Sequence, residues 1–322
     1  MTLPAIGISL GDPGGVGPEI VLKALSERSS LPEARYIVFG GGPILAEAAE
    51  ALGLRPDLST WKDGDLPSVP GRFFRDAGGP QAGFVKGKAS AGNGEASFLF
   101  FRAAVEMARA GLLQAVVTAP ISKTSWRLAG LSWRGHTEYL ESLFPGAIMT
   151  FWSAKLRVAL LSHHLPLREA MERVKKGALL GFFRNLHQSL GRTKSGIREL
   201  LVAGLNPHAG EDGLLGTEED DEIRPAVEEA RKEGLSISGP FPPDTVFLKA
   251  LGRPEKMVVA LYHDQGLIGF KLEAFETGVN ATFGMPFIRT SPDHGTAYDI
   301  AGKGTADPRS LIAAIRMAVE LS

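Results

Sequence analysis

The sequence predicts an α/β protein with a mostly parallel sheet and helices on both faces. Short apolar runs alternate with stretches whose apolar residues recur at helical spacing, the pattern of strands joined by crossover helices. The 39 glycines and 21 prolines sit between those runs, where they punctuate elements. With 44% hydrophobic and 22% charged residues over 322 positions, the chain has the balance of a globular protein that buries a sizeable core.

The elements follow in order. Ala5–Leu10 reads as a strand and Pro18–Leu25 as a helix, with proline at a favoured first position. Arg35–Phe39 is the next strand and Ile44–Leu52 the next helix. Gly94–Ala110 shows helical spacing and Gln114–Val117 a buried strand. Ala147–Trp152 and Leu156–Leu161 read as strands, Leu167–Leu190 as one long helix, and Glu199–Ala203 as a strand. Glu219–Glu233 is helical, Met257–Tyr262 a strand, and Pro308–Leu321 a closing helix. No repeat, low-complexity tract or linker interrupts the chain.

Composition narrows the function. A formal net charge of −1 gives no basic face for nucleic acid. No apolar run approaches the roughly 18 residues that span a membrane. Met1–Leu10 lacks a secretion signal, so a cytoplasmic location is expected. The absence of cysteine excludes disulfides, thiolate catalysis and iron–sulfur clusters, so any metal must be held by His, Asp or Glu.

Gly11–Glu19 (GDPGGVGPE) follows the first strand and suits a tight turn whose helix N-terminus receives an anion, although its spacing is not the G-x-G-x-x-G fingerprint. A ligand-free strand–helix turn fits equally. Gly83–Lys88 is not a P-loop: only three residues separate the glycines, and Ala89 stands where a hydroxyl would hold magnesium. Thr118–Lys123 (TAPISK) sits just past a strand end, where open α/β sheets bind ligands. Lys123 there is an anion partner or a solvated charge.

Seven histidines carry sharper information. His187 lies in a helical stretch and reads as a surface residue. His136, His163, His164, His208, His263 and His294 fall in loops or at strand ends. His164, His208 and His263, spaced 44 and 55 residues apart, match no local metal motif, but each follows a strand. Three imidazoles at strand ends suit one divalent cation. Lys271, Asn280 and Arg289 lie beyond His263 and suggest phosphate and carboxylate on the substrate, against the plain reading of solvated charges. The acidic run Glu218–Glu222 reads as a helix opening, favoured by the helix dipole.

Taken in order, GDPGGVGPE, TAPISK, GHTEYL, HLPL, NPHAGEDGLLGTEE, YHDQGL and FGMPFIRTSPDHGTA closely resemble the PdxA family of vitamin B6 synthesis, from Gly11 to about Pro308. The resemblance implies metal ligands at His164, His208 and His263, and substrate contacts at His136, Thr137, Lys271, Asn280 and Arg289. It implies a homodimer whose active site draws on both subunits. It also implies oxidation of 4-phosphooxy-L-threonine to a β-keto acid that decarboxylates to 3-amino-2-oxopropyl phosphate; Lys271 and Asp244 are the candidate proton acceptors.

A more distant resemblance links residues 294–304, HGTAYDIAGKG, to the adenine loop of isocitrate and isopropylmalate dehydrogenases. It implies that fold: two interwoven α/β domains with a cleft between them, residues 1–130 with 296–322 and residues 131–295, the second carrying metal and dimer interface. It places the cofactor on His294, Gly295, Thr296, Ala297 and Asp299, and the Asp299 carboxylate favours NAD over NADP. The metal is expected to be zinc, cobalt, nickel or magnesium. Three positions depart from the two patterns: His163 stands for a threonine, Tyr298 for a proline and Asp307 for an asparagine. Relatives acting on four-carbon sugar-acid phosphates or aromatic dihydrodiols, a non-catalytic phosphometabolite binder and a phosphohydrolase remain open alternatives.

Overall fold

The computed structural model describes residues 3–62, 66–80, 83–275 and 277–322, without the side chain of Arg28. The chain forms two compact units, Met1–Pro145 with Pro286–Ser322, and Gly146–Met285. The first opens with β1 (Ala5–Ser9), α1 (Gly17–Ser26), β2 (Arg35–Gly40), α2 (Gly42–Ala51), β3 (Ser59–Thr60) and β4 (Gly71–Asp76). It continues through α3 (Ala91–Arg109), β5 (Ala115–Thr118), α4 (Lys123–Leu128) and α5 (His136–Leu143). The second unit holds β6 (Ile148–Trp152), β7 (Arg157–Leu160), α6 (Leu167–Glu172), α7 (Lys176–Gly191), β8 (Glu199–Ala203), α8 (Arg224–Lys232), β9 (Ile237–Phe241), α9 (Val246–Ala250), β10 (Lys256–Ala260), α10 (His263–Ala274) and β11 (Val279–Phe283). The chain then returns to the first unit with β12 (Ile288–Pro292) and α11 (Arg309–Leu321).

The first unit's sheet runs β3-β4-β2-β1-β5-β12 and is parallel throughout. Its central strands are buried end to end, β1 and β5 showing no alternation, because helices cover both faces. Two hydroxyls set the helices beside the sheet. Ser90 caps α3 by accepting from the Asn93 amide at 3.1 Å, and Ser122 caps α4 by accepting from Ser125 N at 3.1 Å. Gly94 lets α3 and α4 touch, since a Cβ there would lie 2.1 Å from the Ser125 carbonyl.

Residues 131–145 and 286–295 join the first unit, although the sequence predicts them in the second. Tyr139 and Leu140 of α5 are buried, with Tyr139 packed edge-on against Phe98, and β12 pairs in register with β5. Burial and strand pairing bind these segments where helical spacing alone gives no signal.

The second unit's sheet runs β11-β6-β7-β10-β8-β9, antiparallel at β11-β6-β7 and parallel from β7 onward. Its core packs Phe151, Val158, Leu201, Val258, Leu267 and Phe270. Burying each such side chain contributes about 1.5–3 kcal/mol.

The helix predicted over Leu167–Leu190 is two helices. Val174 is buried between them, Lys175 is extended, and the Glu222 carboxylate accepts from the Lys176 amide at 2.7 Å, capping α7. Glu219–Glu233 likewise divides into a π-turn, Glu219–Ile223, and α8, with proline in the first turn of α8. Among the described residues, no helix is long and apolar enough to cross a membrane.

Candidate active site

Arg289 and His136 form a buried cationic cluster in the first unit. On β12, Arg289 stands opposite Val116 of β5, so Thr118, two residues along, faces the same side. Arg289 donates to Thr118 Oγ1 from Nε at 2.9 Å and from Nη2 at 2.7 Å. Nη2 also lies 3.1 Å from His136 Nδ1. A guanidinium has no acceptor, so His136 Nδ1 accepts and its proton sits on Nε2. That Nε2 is buried with no polar partner among the described residues.

Arg289 is 5% exposed and His136 7%, and among the described residues both hydrogen-bond partners of the guanidinium are neutral. Desolvation brings the Arg289 pKa down to about 10, still well above neutrality. Burial first, and the Arg289 charge second, hold His136 well below the ordinary imidazole range. Phe101 and Trp126 pack on the His136 ring at 4.3 and 5.6 Å between centroids. A buried cation with no carboxylate costs several kcal/mol, and an anion bound at Nη1, which makes no hydrogen bond among the described residues, would offset it.

His136 opens α5, with half-buried Thr137 behind it, so His136 sits at a helix N-terminus and not in a loop. Exposed Lys123 is near: a Cβ on Gly135 would lie 3.7 Å from its Cε. Thr118 opens the TAPISK motif that the sequence places at a ligand-binding strand end, but its pairing with Arg289 is not legible there. Its role depends on the β5–β12 register, which no local pattern encodes.

The second unit carries the predicted metal residues. β7, β10 and β8 are parallel neighbours in that order, and His164, His263 and His208 follow their C-terminal ends. His164 and His263 converge, with ring centroids 5.8 Å apart, and the adjacent His163 packs on His164 at 5.2 Å. The Asp264 carboxylate lies 2.6 Å from His263 Nδ1 and accepts a hydrogen bond from it, leaving Nε2 as the donor atom for a metal. His208 lies across β10, exposed, with Nδ1 3.9 Å from Glu211. Among the described residues, no group of three or more His, Asp or Glu is placed to hold a metal. The pair and its carboxylate partner suit a divalent ion that takes a further ligand.

The turn bearing His208 is tightly held. His208, Ala209, Glu211 and Asp212 all have positive φ, an uncommon run for residues with a Cβ. Glu219, 1% exposed, reaches back to it: Oε1 accepts from Leu205 N at 2.6 Å and Asn206 N at 2.8 Å, and Oε2 from Asn206 Nδ2 at 2.9 Å. The acidic run therefore does more than open a helix. Gln265 ties the same edge together, donating to Gly204 O and accepting from Leu261 N, both at 2.7 Å.

Lys271 lies in the last turn of α10, its Nζ 5.9 Å over the Phe275 ring. Asn280, on β11, has a buried Oδ1 with no partner among the described residues. Asp244 is exposed in the turn before α9, and among the described residues no hydrogen bond or ion pair links it to the histidines. His187 is exposed on α7, as its sequence context suggests.

Residues 294–304 of the first unit lie against the Gly11–Glu19 motif. Val16 N donates to Thr296 O at 2.9 Å, and a Cβ on Gly15 would lie 2.7 Å from that oxygen, so glycine is required. Gly14 N and Gly15 N bond to Asp12 at 2.8 and 3.1 Å. With these three amides committed to protein acceptors, the motif is a bed for the 294–304 loop. Its far end is held by Lys23 Nζ on the carbonyls of Gly304 and Ala306 (2.8 and 2.7 Å) and by Glu19, which accepts from Ala306 N at 2.9 Å. His294 and Asp299 are exposed, and a Cβ on Gly295 would meet open space. A cavity of ≈ 250 Å³ along the loop is lined by Gly15, Lys86, Ala301 and Gly302 among others. Asp307, in place of asparagine, accepts from Arg309 N at 2.9 Å and caps α11.

Residues 33–318 match the model of the family described as pyridoxal phosphate biosynthetic protein PdxA. A 4-hydroxythreonine-4-phosphate dehydrogenase of Desulforapulum autotrophicum is 43% identical over 98% of this chain and 94% of its own. A D-threonate 4-phosphate dehydrogenase of Cupriavidus necator is 38% identical over 99% and 98%. The solved 4-hydroxythreonine-4-phosphate dehydrogenase of Klebsiella pneumoniae has a TM-score of 0.86 at 36% identity, covering 99% of this chain and 98% of that one. With buried Arg289 and the converging histidines on the family's motifs, the chain belongs to the PdxA family.

Proposed function

We propose that this protein is a 4-hydroxythreonine-4-phosphate dehydrogenase. It oxidises 4-phosphooxy-L-threonine with NAD to a β-keto acid, which loses CO2 to give 3-amino-2-oxopropyl phosphate. The observation that carries the reading is Arg289, a buried guanidinium whose partners are neutral, which calls for an anionic ligand. The names of the most similar relatives supply the phosphorylated hydroxy-acid.

Arg289, His136 and Thr137 bind the phosphate, His136 donating from Nε2. Lys271 and Asn280 hold the remainder of the substrate. His164 and His263 hold a divalent metal, and His208 completes the set in a homodimer that shares ligands between subunits. Zinc, cobalt, nickel and magnesium all fit this reading. The loop from His294 to Asp299 holds NAD, with Asp299 on the adenosine ribose. When bound, the metal supplies Lewis-acid stabilisation of the hydroxyl oxygen as its proton leaves, and NAD accepts the hydride. Lys271 takes that proton, with Asp244 as the alternative acceptor. Location in the cytoplasm fits this biosynthetic role.

The D-threonate 4-phosphate dehydrogenases among the relatives favour a second reading, because that substrate also joins a phosphate to a hydroxy-acid. NADH production by the purified protein with NAD and defined metal, on 4-phosphooxy-L-threonine and D-threonate 4-phosphate side by side, decides between them. The proposal expects the first to have the higher kcat/KM. Preference for the second reassigns the substrate, and turnover of neither refutes both.

A further inference from the structure

We infer that Tyr298 is a positioning residue for the dinucleotide: its hydroxyl, through Asp12, fixes the 294–304 loop in the shape that receives NAD. The inference rests on the reading of that loop as the cofactor site. The loop has two main-chain anchors, Thr296 on Val16 and the Gly304–Ala306 end on Lys23 and Glu19. Between them the chain bonds largely to itself, with Ile300 N to Ala297 O and Lys303 N to Ile300 O, both at 3.1 Å. Ala297 adopts a positive φ of 43°, a conformation that a residue with a Cβ holds only when its surroundings enforce it.

Tyr298 supplies that enforcement next to Asp299. Its hydroxyl donates to Asp12 Oδ2 at 2.7 Å and lies 3.1 Å from Ser125 Oγ. Asp12 is fully buried and collects donors from three segments: Gly14 N on Oδ1 at 2.8 Å, and Ser125 Oγ on Oδ2 at 2.9 Å beside Tyr298. A buried carboxylate has few other acceptable partners, so the three segments are joined at one point. Residues 294–304 depart at Tyr298 from the adenine-loop pattern they resemble, which has proline there. The tyrosine's side-chain hydrogen bond restrains the backbone where a proline ring would fix φ.

Tyr298→Phe tests this, since it removes one oxygen and keeps the ring. The dissociation constant for NAD, measured calorimetrically on the whole protein, should rise about tenfold, the scale of one hydrogen bond to a charged group. KM for NAD should rise alike while kcat at saturating NAD stays within twofold of the parent. Affinity for inorganic phosphate should not change. Amide exchange should quicken across 297–303 and stay constant in β1. A variant that binds NAD within twofold of the parent overturns the inference alone. Equal losses in NAD affinity, kcat and phosphate affinity also overturn it, because they mark general loosening. A parent protein with no NAD affinity overturns the cofactor reading and the inference with it.

Discussion

Replacing Arg289 by methionine separates its two roles. In the free protein the change removes a buried cation, which relieves a desolvation cost of several kcal/mol. It also leaves Thr118 Oγ1 and His136 Nδ1 without their donor, at about 1–3 kcal/mol each. The opposing terms are similar, so unligated stability should stay within about 2 kcal/mol of the parent. Binding should behave otherwise. An ionic hydrogen bond to phosphate is worth about 1.5–3 kcal/mol, and Nη1 offers at least one. The variant's kcat/KM on the phosphorylated substrate should therefore fall at least tenfold to a hundredfold, at about 1.4 kcal/mol per decade. Thermal unfolding with inorganic phosphate gives a readout independent of turnover. At 100-fold excess over its dissociation constant, phosphate stabilises by about 2.7 kcal/mol. At roughly 2–4 °C per kcal/mol for a unit of this size, the parent should gain about 5–10 °C. Arg289→Met should gain almost nothing. A variant that keeps the parent's phosphate-induced shift and its kcat/KM would refute the anion site.

Three further outcomes are expected. His136 is held neutral in the fold, its pKa below the unfolded value of 6.5, so the unfolded chain binds the extra proton first. Its contribution is present above about pH 6.5 and is lost as pH falls from there toward the folded pKa. Urea midpoints between pH 7.5 and 5 should show this, with a shallower slope in His136→Gln. Glu219→Gln turns an acceptor toward Asn206 into a donor and should cost about 1–3 kcal/mol in urea unfolding, with weaker metal binding by calorimetry. An unchanged midpoint would remove Glu219 from its bracing role. Chelation, and separately His263→Ala, should abolish NADH production while circular dichroism stays that of the parent. Full turnover after rigorous metal removal would refute the metal role.

The fold was legible where packing leaves a local trace. β1, β5, β8 and β10 are apolar runs because both faces of those strands are covered, and each was readable to within two residues at its ends. The elements that escaped are short or carry chemistry. β12 includes Arg289 and Thr290, and α5 and α10 begin on histidines, so neither shows an unbroken apolar stripe. The break between α6 and α7 escaped because Lys175 and Lys176 find their carboxylate partners, Glu222 and Glu229, some fifty residues later. No window along the sequence contains both halves of that interaction.

The candidate site divides along the same line. Residues proposed to meet a ligand stand out by type: histidines after strands, an arginine among glycines and prolines, an acidic residue in a loop. Residues that hold them are ordinary. Thr118 belongs with Arg289 because β12 pairs with β5 in one register, and a slip by one residue would turn Thr118 to the other face. Glu219 looks like any acid in a helix's first turn until its carboxylate is seen on the amides of Leu205 and Asn206. Asp12 sits in a glycine-rich turn whose conspicuous feature is glycine. Yet Asp12, fully buried, joins that turn to α4 and to the 294–304 loop. The positioning residues are long-range by construction, since their task is to fix one segment against another distant in sequence. They become visible only when the strand order is known, and substitutions at them should alter affinity and stability before they alter the chemistry.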